Sequence, residues 1–257
     1  VDAWLGTLPG NTRNNVRRPI LNTLNLAHLM PLSAVWAGPE ENEHLKSPPL
    51  FYALTNGSTP FRYVTHVGDV GHTMVIGPSG AGKSVLLNLM EAQFLRYENA
   101  QVYIFDKGNS ARTLTLAVGG EHYNIGEEGS ELSFQPFSDI DNEHELAWAH
   151  EWVLSVLAQE NVSVTPHVKS SVWKALCSLS TAKKEERTLF GLTALLQDDT
   201  LRRALHPFTL SGPHGRLLDS TEDNLNYSRF QCFEMETVMD TPSVVPAVLS
   251  CIFHKLE

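Results

Sequence analysis

Cysteine is scarce. Only Cys177, Cys232 and Cys251 occur in 257 residues, far apart and with no CxxC pair. That excludes a disulfide framework and a cysteine-built zinc site, and a reducing compartment is the simplest setting. Positive charge is in short supply too: 19 Lys+Arg face 29 Asp+Glu, a net charge of −10. Blanket coating of nucleic acid needs Lys and Arg to displace phosphate counterions, so only a local basic groove is left open. Long apolar runs are missing. The longest, Val244–Phe253, is broken by Pro246 and Ser250 and falls short of the ~18–20 residues of a membrane span. No basic segment leading into an apolar stretch opens the chain, so no signal peptide is expected. Internal repeats and low-complexity tracts are absent from the sequence. There is no initiating Met, and a helical pattern is still running at Glu257. The chain therefore reads as an internal piece of a longer protein.

What remains is globular: 42% hydrophobic and 19% charged residues, too apolar for disorder and long enough for one large or two small cores. Residues 1–60 are rich in turn formers (Pro9-Gly10-Asn11, Gly38-Pro39, Asn56-Gly57) and are expected to be an irregular segment packing on a core. Phe61–Val67 alternates like a strand, and His72–Ile76 is a short apolar strand candidate ending at Gly77. Ser84–Tyr97 has helical spacing, with Val85, Leu86, Leu89, Met90, Phe94 and Tyr97 on one face. Val102–Phe105 reads as a buried strand ending at Asp106, followed by weak strands near His122–Ile125 and Leu132–Phe134. From Asp141 the period turns helical. Thr165-Pro166, Thr188 and Asp199 are expected helix starts. A strand at Phe230–Met235 and a helix from Thr241-Pro242 close the chain. The expected organisation is an α/β core over 61–138, a helical insertion over 139–228, and a returning strand and helix over 229–257.

One motif carries chemistry. Gly77-Pro78-Ser79-Gly80-Ala81-Gly82-Lys83-Ser84 fits G-x-x-x-x-G-K-[ST] at every fixed position. Glycines let the backbone wrap a phosphate tail so that successive amides point inward. A following helix adds its positive dipole end, reaching the amide of Val85. Lys83 is placed on the β- and γ-phosphates, and the Ser84 hydroxyl on Mg2+. ATP and Mg2+ are the expected ligands. Hydrolysis also requires a carboxylate for the metal shell, for which the usual sequence is an apolar strand ending in Asp-Glu. Here Asp106 follows the apolar strand, but Lys107 stands where Glu belongs. Asp106 is thus a candidate metal-shell residue, though a strand-end residue lining the cleft or a neighbouring subunit's surface is the favoured reading. Glu234 and Glu236 lie in a strand pattern and are weaker candidates.

Other constellations read as structural. His144-Glu145-Leu146-Ala147-Trp148 opens like a zinc-protease helix, but Trp148 replaces the second histidine. Trp148, Trp152 and Trp173 lie on or near helical stripes and are expected in the core. Asn11, Arg13, Arg17 and Arg18 form the one basic cluster, read as a solvated or intersubunit face.

Several flanking motifs narrow the reading. These are Trp4–Asn11, Thr23–Ala27, His66–Thr73 running into the phosphate loop, Phe105–Ser110, Ala117–Gly120, Phe233–Glu236 and Asp240–Pro242. With them the chain resembles, over nearly its whole length, the conjugative-transfer ATPases of type IV secretion systems, the TrbE type within the VirB-four class. The resemblance implies a RecA-like P-loop NTPase sheet carrying an all-helical insertion. It also implies hexamers at the cytoplasmic face of the bacterial inner membrane, working with other secretion components to power pilus assembly and substrate transfer. Gly77–Ser84 match the family's phosphate loop, and Asp106 and Lys107 its second-strand motif. The family's Asp-Glu motif is expected beyond Glu257, so this stretch by itself is expected to be inactive. Two alternatives are a DNA-translocating ATPase of coupling-protein type and a nucleotide-regulated assembly module without turnover.

Overall fold

The computed structural model describes residues 1–11, 13–14, 22–30, 35–127, 129–130 and 132–257. Contacts divide them into two compact units, Val1–Thr73 and Met74–Glu257.

The first unit holds helices α1 (Asp2–Leu5) and α2 (Thr23–Leu29) and strands β1 (Phe51–Ala53) and β2 (Phe61–Tyr63). Asn22 and Asn25 cap α2 reciprocally, which supplies two of the helix's free amides with partners. The strands pair antiparallel, Phe51 opposite Tyr63, with the two rings stacked at 4.7 Å. The boundary expected between residues 60 and 61 therefore cuts a hairpin, and Phe61–Tyr63 belongs with the preceding residues. The strand is also shorter than the alternation suggested: Val67 makes an isolated bridge to Val70 instead. In the basic cluster, the Asn11 side chain accepts from the amides of Arg13 and Asn14 and so shapes a local turn. Arg17 and Arg18 lie outside the described residues.

The second unit is a parallel α/β sheet with a helical insertion. Its elements are α3 (Lys83–Phe94), β3 (Val102–Asp106), α4 (Arg112–Ala117), β4 (Glu121–Asn124), α5 (Glu143–Gln159), α6 (Pro166–Leu179), α7 (Leu189–Leu195), α8 (Asp199–Leu205), α9 (Gly215–Leu218), β5 (Phe230–Glu234), α10 (Glu236–Met239) and α11 (Val245–Leu256). The strand order is β3-β5-β4, all parallel. Central β5 is buried at every position, as a parallel strand covered on both faces must be. Its register sets Asp106 and Asn124 on either side of Glu234, so three polar side chains meet at the carboxyl end of the sheet.

The insertion holds most of the core. Trp152, Val153, Val156 and Leu157 of α5 pack with Val172 and Leu176 of α6 and Leu189 and Leu192 of α7. The helix starts follow ordinary capping chemistry. Thr165 accepts from the Val168 amide ahead of Pro166, and Thr188 accepts from Gly191. The fourth insertion helix is capped one residue earlier than expected, by Asp198 accepting from Thr200. The last helix starts at Val245, with Pro246 in its first turn, rather than at Thr241.

Two expected strands are absent from the described structure. Leu132–Phe134 is buried, but Phe134 bonds to Leu217 and Ser220, and Ser133 to Asn224. A hydrophobic run thus fills the core without entering a ladder. His72–Ile76 forms no ladder either, and Met74 and Ile76 are 83% and 85% exposed. The expected stripe on α3 is likewise not buried: Val85, Leu86 and Leu89 are all exposed. Local spacing sets which face of a helix is apolar, but burial requires a packed surface beneath it. Among the described residues, no helix is long and apolar enough to cross a membrane.

Candidate functional site

Gly77–Gly82 is an exposed loop leading into α3. Gly80 and Gly82 have φ of +78° and +81°, a backbone that side chains resist. The Ala81 amide closes the turn onto the Pro78 carbonyl, and the Lys83 ammonium donates to that same carbonyl at 2.8 Å. Gly82 is the N-cap of α3, and no side chain caps the helix. Side chains do cap α5, α6, α7 and α8. The first helical bond runs from the Leu86 amide to Gly82, so the amides of Lys83, Ser84 and Val85 precede the ladder. Three uncommitted amides, a helix dipole and one mobile ammonium make an anion cradle. The exposed Ser84 hydroxyl is free to take a cation beside it. These residues fit a phosphate tail with Mg2+.

At the carboxyl end of the sheet the carboxylates are already engaged. Asp106 accepts from the amides of Lys107 and Ala111 and from the Ser110 hydroxyl, at 2.7–2.8 Å. Glu234 is buried and accepts from the amides of Gly108, Asn109 and Glu236 at 3.1, 2.6 and 3.0 Å. Sequence reasoning weighed Glu234 as a weak catalytic candidate and missed its role in holding the turn after β3. No local signal marks a contact between residues 126 apart.

The helix after the phosphate loop faces the same turn. Asn88 donates to the Ser110 carbonyl at 2.9 Å, and Glu91, one helical turn further on, has a buried Oε2 with no hydrogen-bond partner. Burial, and then the negative charge of Asp106, push the Glu91 carboxyl up from 4.5 to about 7. The folded chain holds a proton there that the unfolded chain has released. This contribution to stability is therefore complete below pH 4.5 and is lost as pH rises through about 7. Glu91→Gln is expected to flatten that loss and to raise stability near pH 8 by about 1 kcal/mol, a value discounted for partial solvent access. Urea denaturation at several pH values measures it. An unchanged pH profile in the variant would place the titration elsewhere.

Of the tryptophans expected in the core, Trp152 is buried and Trp148 packs against it, whereas Trp173 is 40% exposed. Trp148 stacks on His254 at 3.9 Å, and His254 bonds to Glu145 at 2.8 Å, so the zinc-like helix start is part of the packing between α5 and α11. No cluster among the described residues is suited to holding a metal through His, Cys, Asp or Glu. Burial pushes the Cys232 thiol up to about 12, which leaves it unreactive.

The model of the TraG P-loop domain family matches residues 63–187. A probable conjugal transfer protein TrbE of Sinorhizobium fredii is 40% identical over the whole of this chain and 40% of its own length. Conjugal transfer protein TrbE of Rhizobium radiobacter is 41% identical, again over the whole chain and over 32% of its own length. The chain is similar over its whole length to these TrbE proteins of conjugal transfer. Type IV secretion system protein virB4 of Bartonella quintana is more distant, at 26% identity over 99% of this chain and 33% of its own length. The chain thus spans about a third to two fifths of the length of these relatives. The structure of VirB4 from Thermoanaerobacter pseudethanolicus superposes with a TM-score of 0.52 over 68% of this chain and 52% of that one, at 14% identity. That likeness shows the fold, a parallel α/β sheet with a helical insertion.

Proposed function

We propose that this chain is the nucleotide-binding part of an ATP-driven motor of a conjugative type IV secretion apparatus. The observation that carries the reading is the uncapped start of α3 behind Gly77–Gly82, with Lys83 folded into the loop. Gly77, Pro78, Ser79, Gly80, Ala81, Gly82, Lys83, Ser84 and Val85 would hold ATP, with Lys83 as the catalytic cation and Ser84 as the ligand of Mg2+. The bound nucleotide supplies the energy of phosphoryl transfer. The chain's own residues bind the tail, orient it and neutralise its charge.

Asp106 is assigned to the turn after β3 rather than to the ion, because both of its carboxylate oxygens already accept hydrogen bonds. The similarity to TrbE and VirB4 proteins supports self-assembly, as a hexamer, and contact with other secretion components at the cytoplasmic face of the bacterial inner membrane. Through these contacts the motor would power pilus assembly and substrate transfer. Contact with nucleic acid is disfavoured for the chain as a whole by its net charge of −10.

A second reading is favoured by the engagement of Asp106 and Glu234 with backbone amides. On that reading this stretch binds nucleotide without turning it over, and occupancy regulates docking. Transfer of a plasmid by cells whose full-length protein carries Ser84→Ala decides between the two. The motor reading expects transfer to fall by two or more orders of magnitude, together with Mg2+-dependent ATP turnover by the purified parent. Normal transfer in the variant would remove the motor reading.

A further inference from the structure

The turn that follows β3 is held more firmly than a surface turn needs. Lys107, Gly108, Asn109 and Ser110 are exposed, yet the turn is fixed by two carboxylates from adjacent strand ends. Asp106 takes the amides of Lys107 and Ala111, and the buried Glu234 takes those of Gly108 and Asn109. Gly108 and Asn109 are both left-handed, with φ of +91° and +57°. Burying a carboxylate costs free energy, and here it is offset by charge-assisted bonds to main-chain amides. The result is a rigid backbone beneath one mobile cation. Among the described residues Lys107 makes no ion pair, whereas Lys184 and Lys255 are paired with Asp139 and Asp223.

The position of the turn follows from α3. At one end of that helix, Arg229 just before β5 bonds the carbonyls of Leu95, Tyr97 and Ala100. Towards its other end, Asn88 bonds the turn at Ser110. The helix therefore runs antiparallel to the strands, and its first amides lie roughly 7 Å beyond Asn88 at a rise of ~1.5 Å per residue. That places the phosphate cradle and the Lys107 turn at the same end of the sheet. Lys107 has a flexible four-carbon stem with which to reach across.

We propose that Lys107 is a second phosphate-contacting lysine, presented to the γ-phosphate of the bound nucleotide by the turn that Asp106 and Glu234 hold. The proposal rests on the reading of Gly77–Ser84 as a nucleotide site. It assigns Lys107 the discrimination of triphosphate from diphosphate, and it makes Glu234 a positioning residue. The diphosphate leaves Lys107 without a partner, while Lys83 and the loop amides bind both nucleotides.

The test is equilibrium titration of the full-length protein with ADP and with a non-hydrolysable ATP analogue, each with Mg2+. Lys107→Ala is expected to weaken the analogue about tenfold, the loss of roughly one charge-assisted contact, while ADP affinity changes less than about twofold. Lys107→Arg should keep most of the preference. Glu234→Gln puts an amide group where the Asn109 N–H needs an oxygen, and it should erode the preference while leaving ADP affinity intact. A purely structural role would lower both nucleotides together. No change in Lys107→Ala, or an equal loss of both nucleotides, overturns the assignment of Lys107. The loop reading survives that result if Lys83→Ala still abolishes binding of both. A parent protein that binds neither nucleotide overturns both readings.

Discussion

Lys83→Ala is expected to lower the affinity for MgATP by at least about a hundredfold while the fold stays intact. Among the described residues, Lys83 supplies the ammonium folded into the phosphate loop, where it now rests on the Pro78 carbonyl. A triphosphate offers it oxygens carrying full charge, and each charge-assisted bond is worth about 1.5–3 kcal/mol. Two such bonds correspond to roughly a hundredfold or more in affinity. Replacing Lys83 should do little to stability, because Lys83 itself is not buried and its one hydrogen bond lies within an exposed loop. Calorimetric titration reads the affinity and a thermal melt reads the fold. A variant that melts like the parent and binds MgATP equally well would show that the cradle lies elsewhere.

Trp152→Ala is expected to cost about 3–5 kcal/mol of stability. Trp152 is 2% exposed, meets Phe137 edge-on at 5.9 Å, and donates its indole N–H to the Ala247 carbonyl at 3.0 Å. It therefore joins α5 of the insertion to α11, which follows the central strand. Alanine leaves a cavity between these helices as well as removing the bond. At roughly 2–4 °C per kcal/mol for a chain of this size, the melting temperature should fall by about 10 °C. Trp152→Phe keeps most of the volume and should cost about 1–2 kcal/mol, mainly the hydrogen bond and unfilled space. Urea unfolding checks both values. A loss below about 1 kcal/mol in Trp152→Ala would mean that the two helices are held together by other contacts.

The regions legible in the sequence are those governed by near neighbours along the chain. The phosphate loop, the helix behind it, strand β3, central β5 and the Thr165 and Thr188 caps all follow from local spacing. What spacing did not reveal depends on partners far away. His72–Ile76 has the composition of a strand, but a ladder requires a neighbour, and the described structure provides none. Leu132–Phe134 is apolar because it is buried, and its backbone groups are satisfied by the loops around Leu217 and Asn224. The hairpin of β1 and β2 was hidden by turn-rich surroundings. Glu234 looked like a polar residue in an apolar strand. Its purpose became visible only when parallel pairing brought the turn after β3 alongside it.

The order of strands β3-β5-β4 carries a consequence for synthesis. Both outer strands have β5 as their partner, and β5 is the last of the three to be made. Glu234 follows Gly108 by 126 residues, a wait of roughly 6–25 s at the pace of translation. During that interval the ribosome-bound chain carries two strands with unmet backbone groups, while the helices of the insertion can already associate. A pause in translation just upstream of β5 would therefore lengthen the exposure of those edges to aggregation.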